Sequence, residues 1–373
     1  MPENSPSDPQ PVQVLTPGGE LLDHPEYSHH MAHLTPTDLR GLYRDMVLMR
    51  RFDAEATALQ RQGELGLFAP ALGQEAAQVG SARALAPQDY VFPSYREHGV
   101  VQVRGVSMTD VLRLFRGVDH GGWDPGAHNV HLYTLVIGSQ TLHATGYAMG
   151  LARDSLVGTG GPDDAATIAY FGDGATSQGD TNEALVFAAV NDAPVVFFCQ
   201  NNQWAISEPA SRQTRVPIAD RGIGFGIPGV RVDGNDVLAT YAVTAAALQR
   251  ARTGGGPTLV EAFTYRMGAH TTSDDPSRYR SAEEEEYWRR RDPIDRLHTY
   301  LERIDELPQE FAEQVATDAD ALGETLRTDV RAMGAPPALS MFDDVYASPH
   351  SVVAEERAWF AEYENALSPR GQA

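Results

Sequence analysis

The sequence predicts an α/β fold: a parallel sheet with helices on both faces, extended by helices at either end. Three observations predict it. Between about residues 135 and 265, short apolar runs alternate with helical stretches, the signature of strands joined by crossover helices. The runs themselves, "ATIAYFG", "APVVFFCQ", "GVRVDG" and "PTLVEAFTY", have strand length and little polar interruption, as expected of strands buried on both faces. The flanking segments instead carry apolar residues at three-to-four spacing, the period of a helix packed on one side.

Taken in order, residues 1–35 read as a flexible N-terminal arm with little core of its own. Its histidines, His24, His29, His30 and His33, read as part of a solvated surface. Pro36 opens a helical pattern, "TPTDLRGLYRDMVLMRRFDAEATALQRQG", with Thr37 or Asp38 as cap and Gly63 as stop. Residues 74–118 read mostly as helix, broken by a loop at "VFPSYREHG". The stretches "TNEALVFAAVN" and "VLATYAVTAAALQRART" supply helices between the strands, and "GTGGPDDA" is a surface loop. After about residue 281 the chain is charged and helical. No internal repeat appears. The domain division is thus the arm at 1–35, one domain at 36–345 and a helical tail at 346–373.

Composition narrows the function. With 42% hydrophobic residues, the 373-residue chain can bury a sizeable core. No apolar run is long enough to span a membrane. The N-terminal "MPENSPSDPQ" is polar and Pro-rich, which argues against a secretory signal and for the cytoplasm. The formal net charge of -22 argues against nucleic acid as a partner. All 29 basic residues are arginine. Without lysine there is no Schiff-base nucleophile, no pyridoxal anchor, no Walker A loop and no lipoyl or biotinyl attachment point. The single cysteine, Cys199, lies inside an apolar run and reads as core.

The chemistry concentrates where strands end. In such a sheet ligands gather beyond the C-terminal edges of the strands. "TIAYF" runs into Gly172-Asp173-Gly174 and then a helical stretch. After one crossover helix the next strand ends at "CQNNQWAIS", bringing Asn202 out at the same edge, 29 positions after Asp173. A carboxylate, an amide oxygen and a nearby carbonyl, that of Trp204, make a hard all-oxygen set. Magnesium accepts such a set with the rest of its octahedron filled by phosphate and water. Backbone N–H groups at Gly174 and Ala175 suit a diphosphate. The segment "GFGIPG", Gly224 to Gly229, fits a dinucleotide fingerprint in letters only. Pro228 lies inside it and a strand follows, so it reads as a turn. A nicotinamide-dependent dehydrogenase on the same sheet type is the competing class.

The Gly-Asp-Gly and Asn-Asn pair resembles the thiamine diphosphate and magnesium motif. The blocks "GDGATSQGDTNEALVFAAV", "FFCQNNQWAIS", "RVDGNDV" and "HTTSDDPSRYR" together resemble the alpha subunit of the decarboxylating component of 2-oxo acid dehydrogenase complexes. The branched-chain type is closest and the pyruvate type next, over about residues 40–350. The resemblance implies the thiamine diphosphate-binding fold, with thiamine diphosphate and Mg2+ as cofactors. It implies oxidative decarboxylation of a 2-oxo acid, with 3-methyl-2-oxobutanoate or pyruvate as substrate, and acyl transfer to a lipoyl group. The lipoyl group belongs to a partner acyltransferase. A separate beta subunit in an α2β2 assembly would supply the glutamate that activates the cofactor, since only one diphosphate-type domain is legible here.

The same resemblance assigns site residues. Tyr95 and Arg96 of "SYREHG" take the diphosphate-contacting places, and Ser139 and Thr141 of "IGSQTLHATG" the loop near the thiazolium end. Asp173, Asn202 and the Trp204 carbonyl hold the metal, with Gly172, Gly174 and Ala175 around the cofactor. His270 is the proton-transfer residue, poised to titrate near neutral pH, and His131 a second site histidine. Phe68 is a substrate-pocket wall, with Tyr95 beside it. Gln200 stands where relatives carry arginine or glutamate. Ser139-Gln140-Thr141 replaces the Ser-Pro-Leu potassium loop of eukaryotic branched-chain members, so no potassium is expected. Thr271 and Ser281 fall at the regulatory serine positions of eukaryotic relatives.

Overall fold

The computed structural model describes residues 10–367. Its strands are β1 (Tyr90–Phe92), β2 (Thr167–Gly172), β3 (Val195–Asn201), β4 (Trp204–Ala205), β5 (Glu208–Pro209), β6 (Gly229–Asp233) and β7 (Thr258–Phe263). Five form one parallel sheet in the order β1-β2-β3-β7-β6, and β4 and β5 make a small antiparallel pair. The four apolar runs of the sequence are thus β2, β3, β6 and β7.

Strand periodicity divides the core into two layers. Ile168, Tyr170, Val196, Phe198 and Val260 face one side, under the helices Pro36–Arg61, Glu75–Arg83 and Val237–Arg252. Ala169, Phe171, Phe197, Cys199 and Leu259 face the other, under the helices Ser139–Arg153 and Gly179–Val190. All ten side chains are essentially inaccessible. Each of the large ones contributes about 1.5–3 kcal/mol by burial. This two-sided burial is why the strands read as continuous apolar runs.

The edge strand β1 corrects the sequence reading, which made "VFPSYREHG" a loop inside a helical region. Tyr90, Val91 and Phe92 instead pair in parallel with Thr167, Ile168 and Ala169. The buried Asp89 carboxylate sets the strand entry. It accepts from the backbone N–H of Ala86 at 2.7 Å and of Ala166 at 2.9 Å, and pairs with Arg252. Three residues are too short a run to declare a strand period, and the following Pro93 masked it. The consequence is functional: Ser94 to Glu97 now leave the same sheet edge as Asp173.

The reading of residues 1–35 as a free arm is also corrected for residues 10–35; residues 1–9 lie outside the described residues. From Gln10 to Thr35 the chain is docked on the body rather than standing free. Val14 and Leu15 are fully buried, and Val12 bridges in parallel to Val232. Asp236 Oδ2 accepts from the backbone N–H groups of Val14 (2.8 Å) and Leu15 (2.6 Å), while the Arg296 guanidinium donates to the carbonyls of Leu15 and Thr16. His33 lies 3.0 Å from the Tyr241 hydroxyl.

The long helix Pro36–Arg61 is capped by Thr35, in a reciprocal capping box with Asp38. It packs against Gln309–Ala332, which follows Ala282–Arg289 and Pro293–Arg303 in the predicted helical region. The tail helix Ser351–Leu367 buries no residue within this chain. "GFGIPG" is the turn from the end of the helix Arg221–Phe225, which holds Gly224 and Phe225, into β6, which starts at Gly229, the reverse of a dinucleotide fingerprint. Among the described residues no helix is long and apolar enough to cross a membrane.

Candidate active site

The register of the central strands builds the site. Gly172, the last residue of β2, pairs with Gln200 near the end of β3, so Asp173 and Asn202 emerge side by side. Beyond them lies a cavity of about 270 Å³. Its walls include Asp173 and Asn202 from the strand ends, Tyr95, Arg96 and Glu97 from the segment after β1, and Arg266 and His270 from the segment after β7.

One wall is oxygen-rich. Asp173 is 2% exposed, and burial pushes its carboxyl up to about 6, against its own backbone N–H and Gln213, which favour the ionised form. Gln213 Nε2 donates to Asp173 Oδ2 at 3.0 Å. The Asn202 amide is fixed at both ends: its Oδ1 accepts from Trp204 N–H at 3.2 Å, and its Nδ2 donates to Gln74 Oε1 at 3.1 Å. The Trp204 carbonyl accepts from Arg266 Nη1 at 2.8 Å, which leaves it one lone pair for a metal.

A second set of lining residues, the cationic wall, adjoins it. Arg96 and Arg266 are both buried. Arg96 donates to the carbonyls of Pro70 and His270, and its Nη2 lies 3.2 Å from His270 Nδ1. Arg266 Nη1 lies 3.4 Å from the same nitrogen. Because guanidinium only donates, Nδ1 is the acceptor and the imidazole proton sits on Nε2. Burial, then the two cations, lowers His270 to about 3. The expectation that His270 titrates near neutrality is therefore corrected: it is a neutral imidazole whose free group is the Nε2–H donor. Its loop is held in place as well. His270 N–H donates to Asp274 Oδ2 at 2.8 Å, Tyr279 donates to the same oxygen, and Arg280 donates to the carbonyls of Arg266 and Met267.

The remaining expected site residues separate clearly. Tyr95 lines the cavity, its ring edge-on to His270 at 6.4 Å between centroids. Gly172, Gly174 and Ala175 line it too, but the glycines differ. A Cβ on Gly174 would lie 2.9 Å from Ala205 Cβ, so Gly174 serves chain packing, whereas Gly172 faces open space. Ser139 and Thr141 spend their hydroxyls on the carbonyls of Val136 (3.0 Å) and Gly138 (2.6 Å), and their neighbours Gly138 and Gln140 line the cavity instead. His131 is outside the lining, 5.1 Å from the Phe92 ring. Phe68 is fully buried, stacked on His98 at 5.1 Å and edge-on to Phe52 and Phe115. It is aromatic core rather than pocket wall. Thr271 lies 3.3 Å from Ser273 through their hydroxyls, and Ser281 caps the helix Ala282–Arg289 by accepting from Glu284 N–H.

Sequence reasoning missed Gln74, Glu97 and Arg266. Glu97 is 1% exposed and burial raises its carboxyl. It accepts from Ser94 N–H and Oγ, both at 2.6 Å, and from Gln200 Nε2 at 2.6 Å. Gln200, in the arginine position, is thus engaged with Glu97, and its Oε1 has no hydrogen-bond partner.

A divalent cation with a diphosphate fits these residues. The oxygen wall offers hard donors suited to magnesium. The cationic wall offers guanidinium and imidazole N–H groups suited to phosphate.

The chain is similar to known proteins over most of its length. The family described as "Dehydrogenase E1 component" matches residues 43–325. The chain is 50% identical over 324 residues to the 3-methyl-2-oxobutanoate dehydrogenase subunit alpha of Mycobacterium tuberculosis, covering 87% of this chain and 86% of that one. It is 46% identical over 265 residues to the pyruvate dehydrogenase E1 component subunit alpha of Acholeplasma laidlawii, covering 70% and 75%. Against the Staphylococcus aureus pyruvate dehydrogenase E1 component subunit alpha, identity is 40% over 293 residues, covering 78% and 76%. A cavity at the strand ends of a parallel sheet and a match over most of the chain lead to one conclusion: the chain belongs to the dehydrogenase E1 component family, as an alpha-type 2-oxo acid dehydrogenase chain.

Proposed function

We propose that this chain binds Mg2+ and thiamine diphosphate in the cavity described above. There, with a beta subunit, it decarboxylates a branched-chain 2-oxo acid such as 3-methyl-2-oxobutanoate. The observation that carries the reading is the meeting of two donor sets at one cavity: hard oxygens at Asp173, Asn202 and the Trp204 carbonyl, and N–H groups at Arg96, Arg266 and His270, the sets joined by the Arg266–Trp204 hydrogen bond. Asp173, Asn202 and the Trp204 carbonyl hold the metal, and ionisation of Asp173 is favoured once a cation sits against it. Arg266, Tyr95 and His270, which line the same cavity, would hold the phosphates and offer donors to the reacting oxygen. Arg96 positions His270 by its two hydrogen bonds to that residue. Bound thiamine diphosphate supplies the electron sink for decarboxylation. In the chain by itself burial and the two arginines favour the neutral imidazole, whose Nε2–H would suit a developing oxyanion.

The similarity to pyruvate dehydrogenase alpha chains makes pyruvate the second substrate to test. The acyl group leaves on a lipoyl group of a partner acyltransferase, because a chain without lysine cannot carry lipoate itself.

The experiment is stepwise reconstitution. The chain with its beta subunit is expected to decarboxylate 3-methyl-2-oxobutanoate with an artificial electron acceptor, and pyruvate more slowly. It should form no acyl-CoA until the lipoyl-bearing acyltransferase and CoA are added. Acyl-CoA from the alpha–beta pair alone would contradict the reading.

A further inference from the structure

We propose that Gln74 is a positioning residue that fixes the Asn202 amide so that its oxygen, not its nitrogen, faces the metal; this rests on the magnesium reading above. Gln74 is 0% exposed and sits at the start of the helix Glu75–Arg83, 128 positions from Asn202 in sequence. Its Oε1 is the acceptor for Asn202 Nδ2 at 3.1 Å, and Trp204 N–H donates to Asn202 Oδ1 at 3.2 Å.

An asparagine amide has two ends of nearly the same shape and opposite polarity. Rotated by half a turn, Asn202 would set its NH2 against the Trp204 N–H, and its oxygen against Gln74 Oε1. The Trp204 contact would be repulsive, the Gln74 contact would be repulsive while the Gln74 amide keeps its orientation, and an NH2 cannot ligate a hard cation. The Trp204 N–H favours the productive orientation, and Gln74 Oε1 accepts from the amide's other end.

The placement of Gln74 is rigid. The neighbouring Gly73 has φ +94°, and a Cβ there would meet the Tyr265 carbonyl at 2.4 Å. Its N–H donates to Glu75 Oε2 at 2.9 Å, and its carbonyl accepts from Thr264 Oγ1 at 2.9 Å. Glu75 is in turn paired with Arg50 at 2.9 Å. Groups that orient a metal ligand from behind typically change metal affinity by about 10–100-fold when removed.

The test measures Mg2+ affinity calorimetrically on the full-length chain assembled with its beta subunit, at saturating thiamine diphosphate. Mn2+ binding followed by electron paramagnetic resonance is the second readout. Gln74→Met keeps the volume and removes the acceptor; it is expected to weaken Mg2+ and Mn2+ binding by about tenfold or more. Gln74→Glu retains an acceptor oxygen in either protonation state and is expected to stay within about threefold of wild type. Asn202→Ala is the control for the underlying reading. If Asn202→Ala loses the metal while Gln74→Met binds it normally, the positioning role is overturned and the metal site stands. Equal losses in Gln74→Met and Gln74→Glu would also overturn it. If neither Asn202→Ala nor Gln74→Met changes metal affinity, the metal assignment itself is overturned.

Discussion

The two walls of the cavity are built by opposite rules. The oxygen wall comes from the ends of adjacent central strands, β2 and β3, whose register fixes Asp173 and Asn202 side by side. The cationic wall comes from the segments after β1 and β7, brought together by Arg96, Arg266 and the His270 loop. Each wall holds a group away from its ordinary ionisation. Burial raises Asp173 to about 6 and lowers His270 to about 3. A buried group without a full set of counter-charges retreats toward its neutral form. The cation and the anion that would restore charge balance are the two halves of a metal diphosphate. The difference teaches that strand ends supply the ligand set, whereas loops supply the charge that answers the ligand.

The largest expected effect that separates the walls is at His270. His270→Ala should lower acyl transfer to lipoate by about 100-fold or more, while thiamine diphosphate affinity falls less than it does in Asn202→Ala. Transfer at the wild-type rate would remove His270 from the chemistry. The same residue gives a pH test. A histidine whose folded pKa lies below its unfolded value stays neutral until the pH falls toward that lower value. His270 is therefore expected to show no protonation between pH 8 and about 5 by 15N NMR of the imidazole. A midpoint near 6.5 would show that the two arginines do not hold its tautomer.

A smaller effect is expected at Gln200. Gln200→Arg places a guanidinium beside Glu97, 2.6 Å from the present amide nitrogen, and adds a donor to the cationic wall. A charge-assisted hydrogen bond is worth about 1.5–3 kcal/mol, part of which Glu97 would consume. Thiamine diphosphate should bind about 3- to 10-fold more tightly, read by calorimetry. Weaker binding would mean that the Gln200–Glu97 pair is itself shaped for the cofactor.

The two walls were also unequally legible. The oxygen wall could be read from sequence because a strand period and a strand end are local: "TIAYF" into Gly-Asp-Gly, "VVFFCQ" into Asn-Asn. The cationic wall required contacts between distant segments. Arg96 and His270 meet across 174 positions, and only family resemblance brought them together. Glu97 lies inside the quoted motif "SYREHG", next to Arg96, but its role appears only when Gln200, 103 positions on, donates to it. Arg266 sits in an apolar run where arginine is rare, and that rarity was the available signal. Gln74 gave none. Phe68 fails for the converse reason: the resemblance assigned it to a pocket, whereas packing with Phe52, His98 and Phe115 buries it. The docking of residues 10–35 escaped because one buried carboxylate, Asp236, organises it through backbone N–H groups that have no sequence signature.

The central claim is that the oxygen wall holds a cation through which the cationic wall's ligand is bound. The most direct measurement is the affinity for thiamine diphosphate, with and without Mg2+, of the wild-type and Asn202→Ala proteins, each assembled with the beta subunit. Wild type is expected to bind about 100-fold or more tightly with Mg2+ than without it, and Asn202→Ala to lose most of that difference while its melting temperature in the absence of ligand is retained. The same Mg2+ dependence in both proteins would contradict the account, because the metal would then be held by other residues.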